Sequence, residues 1–140
     1  LLLADCRILA ALRCHIDART ACPERFESAD GGRSWQFLSP PSDWGGPTEL
    51  TLLDDGRLLI VYGYRVRPYG IRARVSQDNG RSWGPELILR DDAGSWDLGY
   101  PRTVKLSRGK VMTAYYINRD DDEIQCDGGV RHIAATVFTP

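Results

Sequence analysis

Short apolar runs separated by turn-forming residues cover most of this sequence. Residues 57–64 form an almost continuous apolar run, which is typical of a strand buried on both faces. Residues 71–76 alternate apolar and basic side chains, which predicts a strand with one solvent-exposed face. The runs are as short as ordinary strands, and no segment clearly shows the periodicity of a helix. The pattern therefore predicts an all-β chain.

The remaining strands repeat in an ordered way along the chain. They are predicted at residues 7–13, 25–28, 35–38, 49–53, 83–89, 103–106, 110–116 and 130–138. Residues 53–59 and 106–112 both place a tight turn between two apolar stretches, so the third unit opens like the second. The loop 39–47 is rich in Pro, Gly and Ser and marks a boundary. We therefore divide the single domain 1–140 into units of about 1–43, 44–95 and 96–140.

Two near-copies of one eight-residue stretch organise the chain, and we call them the first repeat turn (28–35) and the second repeat turn (76–83). Their Asp side chains can accept hydrogen bonds from the backbone ahead, their Gly residues permit a positive φ, and their Trp residues can bury a large aromatic face. The residues that we assign to these turns are Ser28, Asp30, Gly32 and Trp35 in the first copy, and Ser76, Asp78, Gly80 and Trp83 in the second.

The shared pattern Ser-x-Asp-x-Gly-x-Ser-Trp resembles the Asp box, or bacterial neuraminidase repeat, of sialidase-type β-propellers. The resemblance implies about three blades of a six-bladed propeller, in the C-terminal part of a longer protein. Asp boxes lie on the outer turns of propeller blades, away from the central site. They therefore predict the fold and say little about the activity.

Composition narrows the candidate partners further. The 140 residues carry a net charge of −1, which gives no reason to expect nucleic acid, and no apolar run is long enough to span a membrane. The four Cys residues show no C-x-x-C pair and are interpreted as thiols rather than disulfides. The acidic stretch 120–123 with Asp127 lacks a calcium-loop register. No metal or cofactor is predicted, and the sequence does not indicate a cellular compartment.

Candidate site residues lie where the predicted inner strands end, because these ends surround the central pocket of a propeller. Arg13, Arg65, Arg67 and Tyr100 occupy such positions. Guanidinium groups hold a carboxylate in a bidentate manner that Lys cannot reproduce. The resemblance to sialidases implies that Arg13 and Arg67 (or Arg65) clamp the carboxylate of the sugar, and that Tyr100 is the nucleophile.

A second mapping stays open. Glu49 precedes Arg65 by a spacing similar to that between the family's Glu and its second Arg, which would make Glu49 the base of the Tyr and Arg65 the second clamp residue. We prefer the first mapping because it keeps the order of the blades. Pro101 follows Tyr100 where the family has Ser, which is expected to alter the backbone beside Tyr100.

Two functions are consistent with these features. The resemblance implies a retaining, exo-acting glycoside hydrolase of sialidase type for terminal acidic sugars, whose first clamp Arg and acid/base Asp would lie upstream, so that this chain alone would be inactive. The alternative is a non-catalytic propeller that binds a glycan or a protein through the same face. An upstream Arg at a strand end, with an Asp on a nearby loop, would favour the enzyme.

Overall fold

A computed structural model describes residues 1–15, 21–38, 45–123 and 129–140. Within these residues the backbone forms three antiparallel sheets, and the prediction of an all-β chain is confirmed. None of the described helices is long and apolar enough to cross a membrane. The predicted boundary at residues 43 and 44, Cys126 and Asp127 lie outside the described residues.

Each sheet follows the order of its strands along the chain. Sheet 1 contains β1 (Ile8–His15), β2 (Ala21–Ser28) and β3 (Gln36–Leu38). Sheet 2 contains β4 (Thr48–Leu52), β5 (Leu58–Tyr64), β6 (Gly70–Ser76) and β7 (Leu87–Arg90). Sheet 3 contains β8 (Gly99–Lys105), β9 (Val111–Ile117) and β10 (His132–Phe138), with a short 3-10 turn at Ser107–Gly109 between β8 and β9.

Sheet 2 lies between the other two sheets and contributes to a core on each of its faces. Leu59 and Val61 of β5 pack with Tyr115 of sheet 3. Leu58, on the opposite face of the same strand, packs with Leu9 of sheet 1. Successive side chains of a strand point to opposite faces, so a continuous apolar run fits a strand that is covered on both sides. The predicted double burial of this strand is confirmed.

The solvent-exposed face predicted for β6 is wrong at Arg72, which is only 2% exposed. Its guanidinium donates hydrogen bonds to the carbonyl oxygens of Pro68, at 3.2 Å, and Arg90. It also lies 3.4 Å from the carboxylate of Glu86 and 4.8 Å from the ring centroid of Tyr64. These partners replace water around the charge, which is why an arginine can occupy a buried position of the sheet.

The first repeat turn is closed by its own side chains. One carboxylate oxygen of Asp30 accepts the Ser34 N–H at 2.9 Å, and the other accepts the Ser34 hydroxyl at 2.6 Å. The Ser28 hydroxyl oxygen accepts the N–H of Gly32, whose φ is +92°. The hydrogen bonds from Ser34 and Ser28 hold the pKa of Asp30 down at about 2.

The second repeat turn has the same hydrogen bonds. Asp78 accepts the Ser82 N–H at 2.8 Å and the Ser82 hydroxyl at 2.6 Å. Ser76 accepts the N–H of Gly80, whose φ is +85°. The hydrogen bonds from Ser82 lower the pKa of Asp78 to about 2 as well. The shared residues therefore produce one local geometry twice.

The two tryptophans of these turns differ in burial, and the prediction that Trp35 buries its ring is wrong. Trp35 is 44% exposed, and its indole N–H donates to the Gly32 carbonyl at 3.1 Å. Trp83 is half-buried, with the Arg25 guanidinium of sheet 1 at 5.0 Å from its ring centroid. Sheet 1 covers the second repeat turn, whereas no further sheet among the described residues lies beyond the first.

The described cysteines are free thiols. Cys6 is exposed, Cys14 is half-buried and Cys22 is buried. Cys14 and Cys22 are directly opposite each other in the β1–β2 pair. The Cys14 thiol donates to a carboxylate oxygen of Glu24 at 2.9 Å, and this contact raises the pKa of Cys14 to about 11.

Candidate functional site

The register of sheet 2 gives the molecule two distinct ends. Leu58 is opposite Ser76 at one end, and Tyr64 is opposite Gly70 at the other. We call the first end the turn face, which carries the repeat turns and the turn at 54–57. The second end is the loop face, which carries the segments 65–69, 91–98, 118–123 and 129–131. The candidate site described below lies on the loop face.

A close approach of two glycines joins sheet 2 to sheet 3 on the loop face. A Cβ on Gly63 would lie 3.1 Å from both the Gly99 Cα and the Leu98 carbonyl oxygen. Because Gly63 lacks a Cβ, the end of β5 can contact the start of β8. Arg65 thereby reaches Leu98, and its Nε and Nη2 donate to that carbonyl at 3.2 and 2.9 Å.

Arg65 also belongs to a side-chain network centred on Asp97, which we call the Asp97 network (Arg65, Asp97, Tyr116 and Arg131). Arg65 Nη2 donates to the Tyr116 hydroxyl at 3.4 Å. That hydroxyl donates to Asp97 Oδ1 at 2.5 Å, and Arg131 donates to Asp97 Oδ2. One carboxylate thus lies between a phenol and a guanidinium, with a second guanidinium next to the phenol.

The charges of the Asp97 network are set by these contacts. Burial alone would raise the pKa of Asp97, but the hydrogen bonds from Tyr116 and Arg131 overcome it and lower that pKa. Burial, followed by the hydrogen bond to Asp97, raises the pKa of Tyr116 to about 12. At neutral pH the network therefore contains two guanidinium ions, one carboxylate and a neutral phenol. Its net charge of about +1 favours an anionic ligand.

Tyr100 lies beside this network in an unusual backbone conformation. Its φ is +49°, in the left-handed region that non-glycine residues rarely adopt, and the β8–β9 register shifts between Gly99 and Arg102. Bulges of this kind redirect side chains and are frequent beside functional sites. The ring of Tyr100 stacks on Tyr116, with centroids 5.8 Å apart. Tyr100 is 56% exposed and Trp96 is 55% exposed, so two aromatic rings on the loop face are open to solvent.

A buried asparagine holds the segment that carries Asp97. The Asn118 Nδ2 donates to the Ser95 hydroxyl at 2.7 Å and to the Asp97 carbonyl at 3.0 Å. Its Oδ1 accepts the Ser95 N–H at 2.9 Å, and Asn118 is fully buried. These three hydrogen bonds fix the backbone of residues 95–97 and thereby the position of Asp97. Binding sites require residues of this kind, which hold the ligand-contacting side chains in place.

The structure brings together only some of the residues predicted from sequence. Arg65 and Tyr100 both contact Tyr116. Arg67 is exposed, lies over the Tyr69 ring at 5.3 Å and makes no ion pair with any described residue. Arg13 is exposed on β1 and has no contact with the Asp97 network in the described part of the chain.

Glu49 links two strands. Its carboxylate accepts the N–H of Thr103 at 3.0 Å and is 4.0 Å from the exposed Arg102. Burial raises the pKa of Glu49, while the hydrogen bond from Thr103 partly offsets this rise. This contact joins β4 to β8, and among the described residues no hydrogen bond connects Glu49 with Tyr100.

Sequence reasoning missed Asp97, Tyr116, Asn118 and Arg131. A signal for Asn118 was present, because the offset that aligns 53–59 with 106–112 places Asn118 at the position of Arg65. Following that repeat to the end of the strand would have marked Asn118 as a loop-face residue. Nothing local marks Arg131, whose partner is 34 residues away.

Comparison with known proteins gives matches among solved structures only. No family model matches the sequence, and no curated protein matches it. A crystal structure of a protein of unknown function from Dyadobacter fermentans is 34% identical, with a TM-score of 0.79 over 98% of this chain and 36% of its own. The GH93 α-L-arabinofuranosidase of Fusarium graminearum, in complex with arabinobiose, is 17% identical, with a TM-score of 0.72 over 99% of this chain and 44% of its own.

A third solved structure is a PL25 ulvan lyase bound to -[GlcA(1-4)Rha3S]-, at 14% identity, with a TM-score of 0.73 over 99% of this chain and 37% of its own. These likenesses show that the chain has a β-propeller-like fold. It spans less than half the length of each of the three proteins. The sialidase type and the number of six blades stay predictions.

Proposed function

We propose that this chain forms part of the carbohydrate-binding site of a β-propeller, and that its loop face binds an acidic sugar. The observation that carries the proposal is the Asp97 network, in which Arg131 binds the Asp97 carboxylate and Arg65 contacts the Tyr116 hydroxyl, next to exposed aromatic rings. Arg65 Nη1 makes no hydrogen bond to the described residues. A ligand carboxylate could therefore bind at Arg65 with charge-assisted hydrogen bonds.

The aromatic rings add a second element of sugar recognition. Tyr100 and Trp96 expose apolar faces and polar edges, which suits a ligand that has both C–H faces and hydroxyl groups. The structural neighbours agree with this ligand class, since one has arabinobiose bound and another has a saccharide that contains glucuronic acid. Their identity to this chain is low, so they support a carbohydrate ligand in general.

The finer proposal is a retaining, exo-acting hydrolysis of sialidase type, with Tyr100 as the nucleophile and Arg13, Arg65 or Arg67 as carboxylate clamps. A neutral phenol suits this role because a carboxylate nucleophile would be repelled by the acid group of the sugar. In support, Tyr100 is exposed, and its ring stacks on Tyr116, whose hydroxyl accepts a hydrogen bond from Arg65. Glu49 would act as the base of the tyrosine only after a rearrangement, since no hydrogen bond among the described residues joins it to Tyr100 and the described contacts of its carboxylate are with Thr103 and Arg102.

A non-catalytic carbohydrate-binding propeller is the second candidate, and one observation favours it. A phenol nucleophile needs a base within hydrogen-bond reach. Within the Asp97 network Tyr116 donates to a carboxylate, whereas the contact described for Tyr100 is the stacking of its ring on Tyr116. The binding function requires only the guanidinium ions and the aromatic rings.

A binding experiment on the full-length protein tests the proposal. Calorimetry with an unsaturated sialic-acid analogue, glucuronic acid and arabinose should show binding of the acidic sugars and none of arabinose at the same concentration. Arg65→Lys should weaken acidic-sugar binding by about tenfold, because Lys loses the planar fork. Arg33→Lys, on the turn face, is the matched control. Equal affinity for arabinose, or no binding of any sugar at millimolar concentration, would reject the proposal.

An activity experiment separates the two candidates. If the protein hydrolyses an aryl α-sialoside, Tyr100→Phe should reduce kcat by about 1,000-fold or more while the analogue still binds. Tyr116→Phe should have the smaller effect on kcat. The opposite order would assign the nucleophile to Tyr116, and binding without any turnover by the unmodified protein would select the non-catalytic function.

A further inference from the structure

Two cysteines face each other across the first two strands of sheet 1. Cys14 is directly opposite Cys22 in the β1–β2 register, and both are free thiols in the structure. β2 ends at Ser28, where the first repeat turn begins, so Cys22 lies at the end of this strand that is away from the turn face. Neither cysteine belongs to the Asp97 network, and the function proposed above does not use them.

The register places both side chains on the same face of the sheet. Residues directly opposite each other in an antiparallel pair have Cα atoms roughly 4.5–5.5 Å apart, inside the range of roughly 4.4–6.8 Å that a disulfide spans. The two thiols also influence each other, because Cys22 contributes to the raised pKa of Cys14, after the hydrogen bond to Glu24 and burial. The spacing of the two backbones therefore suits a bond between Cys14 and Cys22.

The two thiols differ in their access to solvent. Cys14 is half-buried, whereas Cys22 is buried. A small oxidant in solution therefore reaches the Cys14 sulfur first, and Cys22 on the neighbouring strand is placed to complete the bond. An accessible cysteine beside a second, resolving cysteine is the arrangement of many redox-sensitive pairs.

Glu24 favours the reduced form of this pair. The Cys14 thiol donates to a carboxylate oxygen of Glu24 at 2.9 Å, and oxidation would remove this S–H donor. The same hydrogen bond, followed by burial, raises the pKa of Cys14 to about 11. Because the thiolate is the reactive form of cysteine, a raised pKa slows the first step of oxidation. Glu24 therefore stabilises the free thiols and limits how fast they react.

We propose that Cys14 and Cys22 form a reversible disulfide, with a small-molecule disulfide such as oxidised glutathione as the oxidant. The Cys14 thiolate attacks one sulfur of the oxidant, forms a mixed disulfide and releases one thiolate. The Cys22 thiolate then attacks the Cys14 sulfur and releases the second. The protons of the two cysteines end on the two released thiols, so that two protein thiols are oxidised and one small disulfide is reduced. The new bond joins β1 to β2 next to Arg13.

Mass spectrometry of the full-length native protein tests this bond. The protein is equilibrated in glutathione buffers of increasing oxidised fraction, free thiols are alkylated, and trypsin then cuts after the arginines. Peptides 14–19 and 20–25 should be joined in an amount that rises with the oxidised fraction, and excess reduced glutathione should separate them. Cys6→Ser is the matched control, because Cys6 is exposed and lies outside the pair, and it should leave this linkage unchanged.

The result with the unmodified protein decides whether the bond exists. Absence of the joined peptides at the most oxidising ratio would overturn the proposal, and so would a bond from Cys6 to either peptide in their place. Cys22→Ala should stop the reaction at a mixed disulfide with glutathione on Cys14. An unmodified Cys14 in that variant would overturn the proposed order of attack.

Glu24→Gln tests the influence of the carboxylate on the rate. The variant removes the negative charge beside Cys14 and keeps a weaker acceptor for its S–H group. The joined peptides should form about tenfold faster, because the gain in thiolate exceeds the loss in its nucleophilicity. An unchanged or slower rate would overturn the role assigned to Glu24.

Discussion

The repeat turns and the Asp97 network, at opposite ends of the sheets, differ in how far apart in sequence their hydrogen-bonding partners lie. Within the turns of the turn face the partners are close in sequence: Asp30 binds Ser34 four residues on, and Arg57 binds Asp55 two residues back. On the loop face, Arg131 binds Asp97 across 34 residues, and Arg65 reaches Leu98 across 33. The geometry inside these turns therefore follows from local sequence, whereas the geometry of the Asp97 network depends on segments that are far apart in sequence.

The two repeat turns show the same contrast on a smaller scale. Their carboxylates make equivalent hydrogen bonds to Ser34 and Ser82. Only the second turn, however, receives Arg25, whose guanidinium donates to the Gly80 carbonyl and lies over Trp83. A shared motif thus specifies the turn, and the neighbouring sheet decides what covers it.

The largest expected effect is on the loop face, at Asn118. Replacing Asn118 with Ala removes three hydrogen bonds, two with Ser95 and one to the Asp97 carbonyl. We expect a loss of about 3 kcal/mol in the free energy of unfolding. Urea unfolding of the full-length protein measures it, with the exposed Gln77→Ala as control.

The affinity of Asn118→Ala for acidic sugars is a second measurement of the role of Asn118. Because Asn118 holds the backbone of Asp97, the variant should also weaken acidic-sugar binding under conditions in which the protein stays folded. A loss of stability below about 1 kcal/mol would show that the segment 95–97 is held by other contacts.

Arg25 is expected to give the next largest effect, and it tests the contact between sheets 1 and 2. It is 2% exposed, and burial lowers its pKa to about 10. Arg25→Ala leaves the Gly80 carbonyl without this donor and uncovers Trp83, so we expect a loss of about 2 kcal/mol. The exposed Arg81→Ala is the control in the same urea measurement. If both variants unfold alike, sheet 1 does not stabilise the second repeat turn through Arg25.

These contrasts explain what could be predicted from the sequence. The repeat turns were predictable because Asp78 and its partners lie within a few residues of one another. The continuous apolar run of β5 required burial on both faces. Arg72 was predicted wrongly because partners from its own sheet surround its guanidinium, and Trp35 because no further sheet among the described residues covers it. The Asp97 network could not be predicted, because Asp97, Tyr116 and Arg131 meet only when sheet 3 has formed, and Arg65 joins them only when sheet 2 has packed against it.

Acid titration of the second repeat turn should have a smaller effect. The pKa of Asp78 is lowered from 3.8 to about 2 in the folded protein. Its contribution is therefore complete above pH 3.8 and is lost as the pH falls through about 2. Asp78→Asn should flatten the fall of the unfolding free energy in this window, as followed by urea unfolding at a series of pH values. An unchanged slope in Asp78→Asn would show that other carboxylates cause the acid instability.

Glu49 should give the smallest effect on stability, with the opposite dependence on pH. Burial raises its pKa above the usual 4.5, so its charged form is disfavoured in the folded state. Its contribution to the unfolding free energy is therefore lost as the pH rises from 4.5 through the raised pKa.

Glu49→Gln removes this titration and keeps an oxygen that can accept the Thr103 N–H. At neutral pH the variant should unfold within about 0.5 kcal/mol of the unmodified protein, with Glu123→Gln as the exposed control. If the protein is a hydrolase and Glu49→Gln abolishes turnover without loss of stability or binding, Glu49 is the base of the tyrosine and Arg65 the second clamp. Retained turnover would instead leave Glu49 as the contact that joins β4 to β8.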